Sequence, residues 1–216
     1  MNVHTQRLRI AGPAGELECA IDEPAAVPVG VAVICHPHPQ HGGTMDNKVA
    51  QTLARAALQL GLRSVRFNFR GVGESAGSWD EGRGEVDDAL AVIAAKRDAS
   101  LPLLLAGFSF GGFVAAQAAS RLDAALKPKR LVLIAPSTLK QQVPAVPPET
   151  VVIHGEADDV VPLSATLDWA RPQVLPVIVV PAVGHFFHGQ LALLRRVVVQ
   201  QLVGFHSDSS APTPLA

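Results

Sequence analysis

The sequence predicts an α/β fold: a mostly parallel central sheet with helices on both faces, entered through an antiparallel hairpin. Two observations carry this. Runs such as "VGVAVICH" (29–36) and "LPLLLAGF" (101–108) are almost continuously apolar, as strands covered on both faces must be. Segments of helical spacing alternate with such runs along most of the chain, the pattern of a sheet wrapped on both sides.

In chain order, "TQRLRI" and "ELECAID", split by "AGPAG", read as the hairpin. The strand 29–36 is followed by "NKVAQTLARAALQL" (47–60), helical in spacing and stopped at Gly61. "RSVRFNF" (63–69) is a strand and "GEVDDALAVIAAKRD" (84–98) a helix. The strand 101–108 passes almost without pause into the helix "FGGFVAAQAASRL" (110–122). "RLVLIAP" (130–136) and "TVVIHG" (150–155) are strands, and "PLSATLDWA" (162–170) is a helix with proline in its first turn. "LPVIVVP" (175–181) is the last strand and "GQLALLRRVVVQQLVGF" (189–205) the last helix. No repeat or linker divides the chain, so one domain over 1–205 is expected. The tail 206–216, "HSDSSAPTPLA", is expected to fray.

Composition narrows the partners. The 216 residues include 18 basic and 19 acidic side chains, for a net charge of −1. That balance gives no electrostatic reason for nucleic acid or an anionic membrane. "KPKR" (127–130) reads as a short solvated turn before a strand. Two cysteines, Cys19 and Cys35, sit in strand-like runs and are expected as buried free thiols. "MNVHTQRLRI" has no apolar stretch of a signal peptide, and no uninterrupted apolar run reaches membrane-spanning length. The expected setting is the reducing cytoplasm.

The junction "LLLAGFSFGG" (103–112) carries the chemistry. Gly107-Phe108-Ser109-Phe110-Gly111 is a G-x-S-x-G pattern between a strand and a helix. Projecting a serine hydroxyl from such a turn strains its backbone, and the residues two before and two after must be very small. The serine also meets the positive end of the new helix. The plain alternative is a glycine-rich helix start with a capping serine. A nucleophilic serine needs a base, normally a histidine oriented by a carboxylate, in the chain order serine, acid, histidine. His154 precedes the plausible acids and His206 lies beyond the last helix. His185 in "VVPAVGHFFHG" is favoured over His188, which suits a helix start. In the loop after "TVVIH", Glu156, Asp158 and Asp159 compete. Asp159 could complement the helix at Pro162 and Glu156 could point outward, which leaves Asp158.

With these residues in place, the sequence resembles the α/β-hydrolase superfamily. The marks are "GFSFG", "HGEADDVVP", "GH" (184–185) and "FNFRGVGES" (67–75), over about residues 29–204. The resemblance implies the α/β-hydrolase fold, Asp158 as the acid of a G-x-x-D-x-V-V-P pattern, His185 as the histidine, and structural roles for Arg70, Gly71 and Gly73. More narrowly the chain resembles small, lid-less bacterial hydrolases related to dienelactone hydrolases. Those carry a cysteine nucleophile where this chain has Ser109, so their lactone chemistry is not carried over.

Acyl transfer also needs donors for the oxyanion. One is the N–H of Phe110. The second comes from the loop His36-Pro37-His38-Pro39-Gln40, where both prolines lack an N–H and His38 keeps one. His36, His38 and His41 could instead bind zinc, but only Asp46 adds a carboxylate nearby, so no metal or other cofactor is expected. His36 is expected in the core and His41 exposed. Residues 137–150 are too few for a cap domain, so the site should be open, bordered by Phe108, Phe110, Phe186 and Phe187, with Phe108, Phe186 and Phe187 as substrate contacts. The expected activity is a serine carboxylesterase acting on a small-molecule ester. Thioesterase, small peptidase or a non-catalytic binding protein are the alternatives.

Overall fold

A computed structural model describes residues 5–205. The readings of 206–216 as a tail and of His206 fall outside these residues. The strands are β1 (Gln6–Gly12), β2 (Gly15–Asp22), β3 (Val31–Cys35), β4 (Arg63–Phe67), β5 (Leu103–Phe108), β6 (Arg130–Ile134), β7 (Val151–Gly155) and β8 (Val177–Val180). The helices are α1 (Lys48–Gln59), α2 (Arg83–Lys96), α3 (Phe110–Arg121), α4 (Leu163–Ala170) and α5 (Leu191–Gln201). All eight strands form one sheet in the order β1-β2-β4-β3-β5-β6-β7-β8. β1 pairs with β2, and β2 with β4, antiparallel, while every pairing from β4 to β8 is parallel.

Side-chain alternation explains the layers. Every residue of β3 and β5 is buried. Val31, Val33, Cys35, Leu103 and Leu105 join the apolar cluster under α2, α3 and the end of α4. Ala32, Ile34, Leu104, Ala106 and Phe108 join the cluster under α1 and α5. A period of two therefore serves two cores from one strand, and each buried Leu, Ile or Val adds roughly 1.5–3 kcal/mol of burial energy. The sheet edges differ. β1 carries Arg7 and Arg9, paired with Glu18, Asp46, Glu16 and Glu74, which blunts an exposed strand. β8 is short and its Val179 is exposed.

The strand order reverses at β3, whose neighbours are β4 on one side and β5 on the other. Loops leaving β3 and β5 therefore diverge, which opens a crevice at the carboxyl edge of the sheet. Polar ties hold the loop that follows β3. Arg66 on β4 donates to the Met45 carbonyl and Asp46 at 2.9 Å each, and Asn68 accepts from the Met45 N–H at 2.8 Å. Asn47 caps α1, accepting from the N–H groups of Val49 and Ala50. Arg70, read as structural, grips fully buried Asp88 at 2.8 Å.

Several expectations need adjusting at their ends. The last helix spans Leu191–Gln201 and not 189–205. Pro162 is the N-cap of α4, not a first-turn residue, and no side chain caps that helix, so Asp159 has no capping role. "KPKR" is more than a solvated turn, because Lys127 Nζ donates to the Ala119 and Ser120 carbonyls at the end of α3. No helix among the described residues is long and apolar enough to cross a membrane. Cys19 and Cys35 are both buried and unpaired.

Candidate active site

β5 ends at Phe108 and α3 begins at Phe110, so Ser109 alone makes the turn, at φ 56° and ψ −119°. A serine at positive φ is strained, and the surroundings hold it there. Its N–H donates to the Ile134 carbonyl at 2.9 Å, and its own carbonyl accepts from Gly112 and Ser137 at 2.9 and 3.1 Å. The flanking glycines have distinct reasons. A Cβ on Gly107 would lie 2.0 Å from the Gly111 carbonyl oxygen, so the turn closes on itself there. A Cβ on Gly111 would lie 2.3 and 2.4 Å from the carbonyl oxygens of Cys35 and His36. The second glycine thus lets the new helix press against the end of β3.

Ser109 Oγ is 2.9 Å from His185 Nε2, and His185 Nδ1 is 2.7 Å from Asp158 Oδ2. The partners define the tautomer: Nδ1–H donates to the carboxylate and Nε2 is left to accept the serine proton. All three residues are at least nine-tenths buried. Asp158 Oδ1 accepts from the N–H groups of Val160 and Val161 at 2.9 and 2.8 Å. Burial alone would raise its pKa, but hydrogen bonds from His154, His185 and Val161 outweigh burial and hold the carboxyl well below the usual range. Three residues 49 and 27 positions apart along the chain are brought into one line by β5, β7 and the loop after β8. The His185 loop is stitched to the Asp158 loop by Ala157 N–H to Val183 O at 3.0 Å and Ala182 N–H to Glu156 Oε2 at 2.9 Å. Glu156, exposed as expected, serves this stitch.

His154 was passed over as a base, and the structure gives it another place. It is fully buried, with Nε2 2.9 Å from the Val161 carbonyl and 3.3 Å from Asp158 Oδ2. The Asp158 carboxylate thus lies between two imidazoles. A histidine four residues before the acid, at a strand end, was the available signal.

The three histidines of the opening loop part company. His36 is fully buried, donating Nδ1–H to the Pro37 carbonyl at 2.7 Å and accepting the Phe69 N–H at Nε2, 3.1 Å away. Burial pushes its pKa down to about 3. His38 accepts the Gln40 N–H at Nδ1, and its ring packs at 4.6 Å from both His41 and Trp79 and 5.0 Å from Phe110. His41 is exposed. No group of three or more His, Cys, Asp or Glu side chains among the described residues is arranged to hold a metal ion. The backbone N–H groups of His38 and Phe110 find no acceptor among the described residues.

His38, Phe110, Ser109 and His185 line one cavity of about 290 Å³. Its wall also includes His41, Asn47, Ser137, Lys140, Val160 and Phe186, most of which sequence reasoning missed because they come from loops far apart in the chain. The aromatic expectation needs correction. Phe186 borders the cavity, but Phe108 and Phe187 are fully buried and do not. Phe108 faces the α1/α5 core with its ring 4.9 Å from His185, and supports the imidazole from below. Phe187, at φ 51°, turns into the same core. Residues 135–150, between β6 and β7, hold no helix or strand and build no cap over the cavity.

Comparison with known proteins agrees with this architecture. A family described as serine aminopeptidase, S33 matches residues 26–162. An α/β serine hydrolase without lid from Xanthomonas campestris is 38% identical, with 99% of each chain covered and a TM-score of 0.87. An α/β serine hydrolase homologue from Coxiella burnetii is 39% identical over 91% of this chain and 97% of its own, with a TM-score of 0.80. An uncharacterized protein of Rickettsia prowazekii is 36% identical over 113 residues, which are 51% of this chain and 48% of that protein, so the match spans about half the length of this curated relative. The chain belongs to the serine aminopeptidase S33 family of the α/β-hydrolase superfamily, and it is a serine hydrolase with no lid.

Proposed function

We propose that this serine hydrolase cleaves small carboxylic esters through an acyl-enzyme, with Ser109, His185 and Asp158 as the catalytic triad. The observation that carries the reading is the unbroken line from a strained, projecting hydroxyl to an imidazole at 2.9 Å and on to a buried carboxylate at 2.7 Å. Ser109 Oγ attacks the ester carbonyl while His185 Nε2 takes its proton. Asp158, held ionised, stabilises the imidazolium. The N–H groups of His38 and Phe110 receive the oxyanion. They are free, and the prolines flanking His38 together with Trp79 keep its loop from reorganising. The imidazolium then protonates the leaving alkoxide, and water releases the acid by the same route.

The family description includes aminopeptidases, and the cavity argues against that substrate. Recognition of a free α-ammonium calls for a carboxylate near the serine, yet no acidic residue among the described residues lines the cavity. Buried, unpaired Cys19 and Cys35 support work in a reducing compartment such as the cytoplasm. The test is a panel of short aryl esters, the matching thioesters and aminoacyl amides, assayed with wild type and Ser109→Ala. Ester turnover that exceeds the others and vanishes with Ser109 is expected. Preferential cleavage of the amides would replace the reading.

A further inference from the structure

The cavity above Ser109 carries a lysine and two imidazoles at its rim and, among the described residues, no carboxylate. His38 and His41 arrive from the loop after β3, and Lys140 from the connector between β6 and β7. The acids nearest in sequence to the lining residues do not answer them, and Asp46 is ion-paired with Arg7 and Arg66. The Asp158 side chain has no exposure and is engaged by His154 and His185, and Asp159 lines the neighbouring groove beyond His185 and Phe186. Lys140 and His41 are exposed, and neither is ion-paired among the described residues. The groups nevertheless feel one another. Burial first, then the neighbouring His41 and Lys140, make His38 harder to protonate, so the fixed charge at the rim is that of Lys140, and His38, whose Nδ1 accepts the Gln40 N–H, stands beside it as a neutral hydrogen-bond donor. A concave site with apolar walls and one sign of charge concentrates ligands of the opposite sign.

We propose that the substrate is an ester bearing a second, negatively charged group, a carboxylate on a small molecule, which Lys140 pairs with and the His38 and His41 imidazoles hydrogen-bond at the cavity rim while the ester carbonyl reaches Ser109. This rests on the reading of Ser109 as nucleophile. The cavity, about 290 Å³, lies at the small end of the usual range for ligand sites, which limits the substrate to a short chain. Hydrolysis adds one water across the ester C–O bond and gives an alcohol and an acid, so one product carries a carboxylate beyond the one that was recognised.

Two matched pairs of esters test this. Monophenyl glutarate against phenyl pentanoate places the anion on the acyl side, and 3-carboxyphenyl butyrate against phenyl butyrate places it on the leaving group. The readout is the anionic-to-neutral ratio of kcat/KM on one enzyme sample, which cancels the fraction of folded enzyme, with each rate normalised to hydroxide hydrolysis to remove intrinsic ester reactivity. The wild-type ratio should exceed one in one pair, and that pair identifies the side that carries the anion. It should fall about tenfold in Lys140→Gln, further in Lys140→Glu, recover in Lys140→Arg and shrink with added salt. A ratio at or below one in both pairs, or one that Lys140→Glu leaves unmoved, overturns the anionic substrate while Ser109-dependent turnover stands. Turnover that survives Ser109→Ala overturns the nucleophile reading, and none of the four esters being cleaved by wild type overturns the ester reading; either result takes this inference with it.

Discussion

Gly111 and Gly112 are adjacent glycines in the first turn of α3, the first inside the G-x-S-x-G pattern and the second just outside it, and the structure predicts different outcomes when each becomes alanine. A Cβ at Gly111 would sit 2.3 Å from the Cys35 carbonyl oxygen and 2.4 Å from that of His36. Both obstacles are backbone, so relief requires the end of β3 to move away from α3 by roughly 1 Å to restore ordinary van der Waals separation. The moving segment leads directly into Pro37 and His38, whose N–H is the proposed oxyanion donor. Overpacking of this kind costs about 1–3 kcal/mol, and a 1 Å displacement of a positioned group costs about 100-fold in rate. A Cβ at Gly112 would meet Pro136 Cα and Cβ at 3.2 Å, a tight contact that a few tenths of an ångström relieve. Alanine there also gains up to about 1 kcal/mol of helix propensity over glycine. Urea midpoints and ester kcat for both variants decide the matter. Gly111→Ala should lose stability and about 100-fold in kcat, while Gly112→Ala stays within a few-fold of wild type. A larger loss in Gly112→Ala would refute the assignment of Gly111 as the contact between α3 and β3.

Further outcomes follow from the same geometry. Asp158→Asn should lower kcat by about 10⁴-fold, because an amide can present its N–H to His185 Nδ1 and favour the wrong tautomer; pre-steady-state ester cleavage would show this, and a loss under tenfold would contradict it. His154→Gln should cost less, about 10-fold in kcat, and should shift the acid limb of the kcat/KM–pH profile, since one of the hydrogen bonds holding the Asp158 carboxylate is changed; an unchanged profile would mean that His154 serves packing alone. His36, with its pKa lowered to about 3 from 6.5, takes up its proton only on unfolding, so its contribution is complete above pH 6.5 and is lost as pH falls towards 3. Between pH 7 and pH 5 that loss is about 2 kcal/mol. Asp158 adds a further loss below its ordinary value of 3.8, as pH falls towards its lowered folded value. Urea midpoints at pH 7 and 5 should fall more in wild type than in His36→Asn, and equal falls would exclude His36 as the source.

The strands and helices were legible because each segment's period matches the layer it occupies. β3 and β5 are apolar throughout since both faces are covered, and β1 alternates since one face meets solvent. Segment ends were less legible because they depend on neighbours. Val29, read as strand, instead donates its N–H to Gly61 outside the ladder. In the candidate site, Ser109, Asp158 and His185 were picked out by turn chemistry and by order along the chain, which the sequence itself records, and the structure brings their side chains within hydrogen-bonding distance. Depth is not local. Phe186 and Phe187 are adjacent, yet the positive φ of Phe187 sends one ring outward and the other into the core. His154 and Lys140 acquire their places only when loops from separate strands fold over one crevice, and no periodicity within either segment records that.

The most direct test of the central claim is covalent trapping with a fluorophosphonate, read by mass spectrometry of the intact and digested protein. One adduct per chain on the peptide containing Ser109, absent in Ser109→Ala and formed far more slowly in His185→Ala, is the predicted result. An unlabelled wild-type protein, or an adduct on any other residue, would contradict the account.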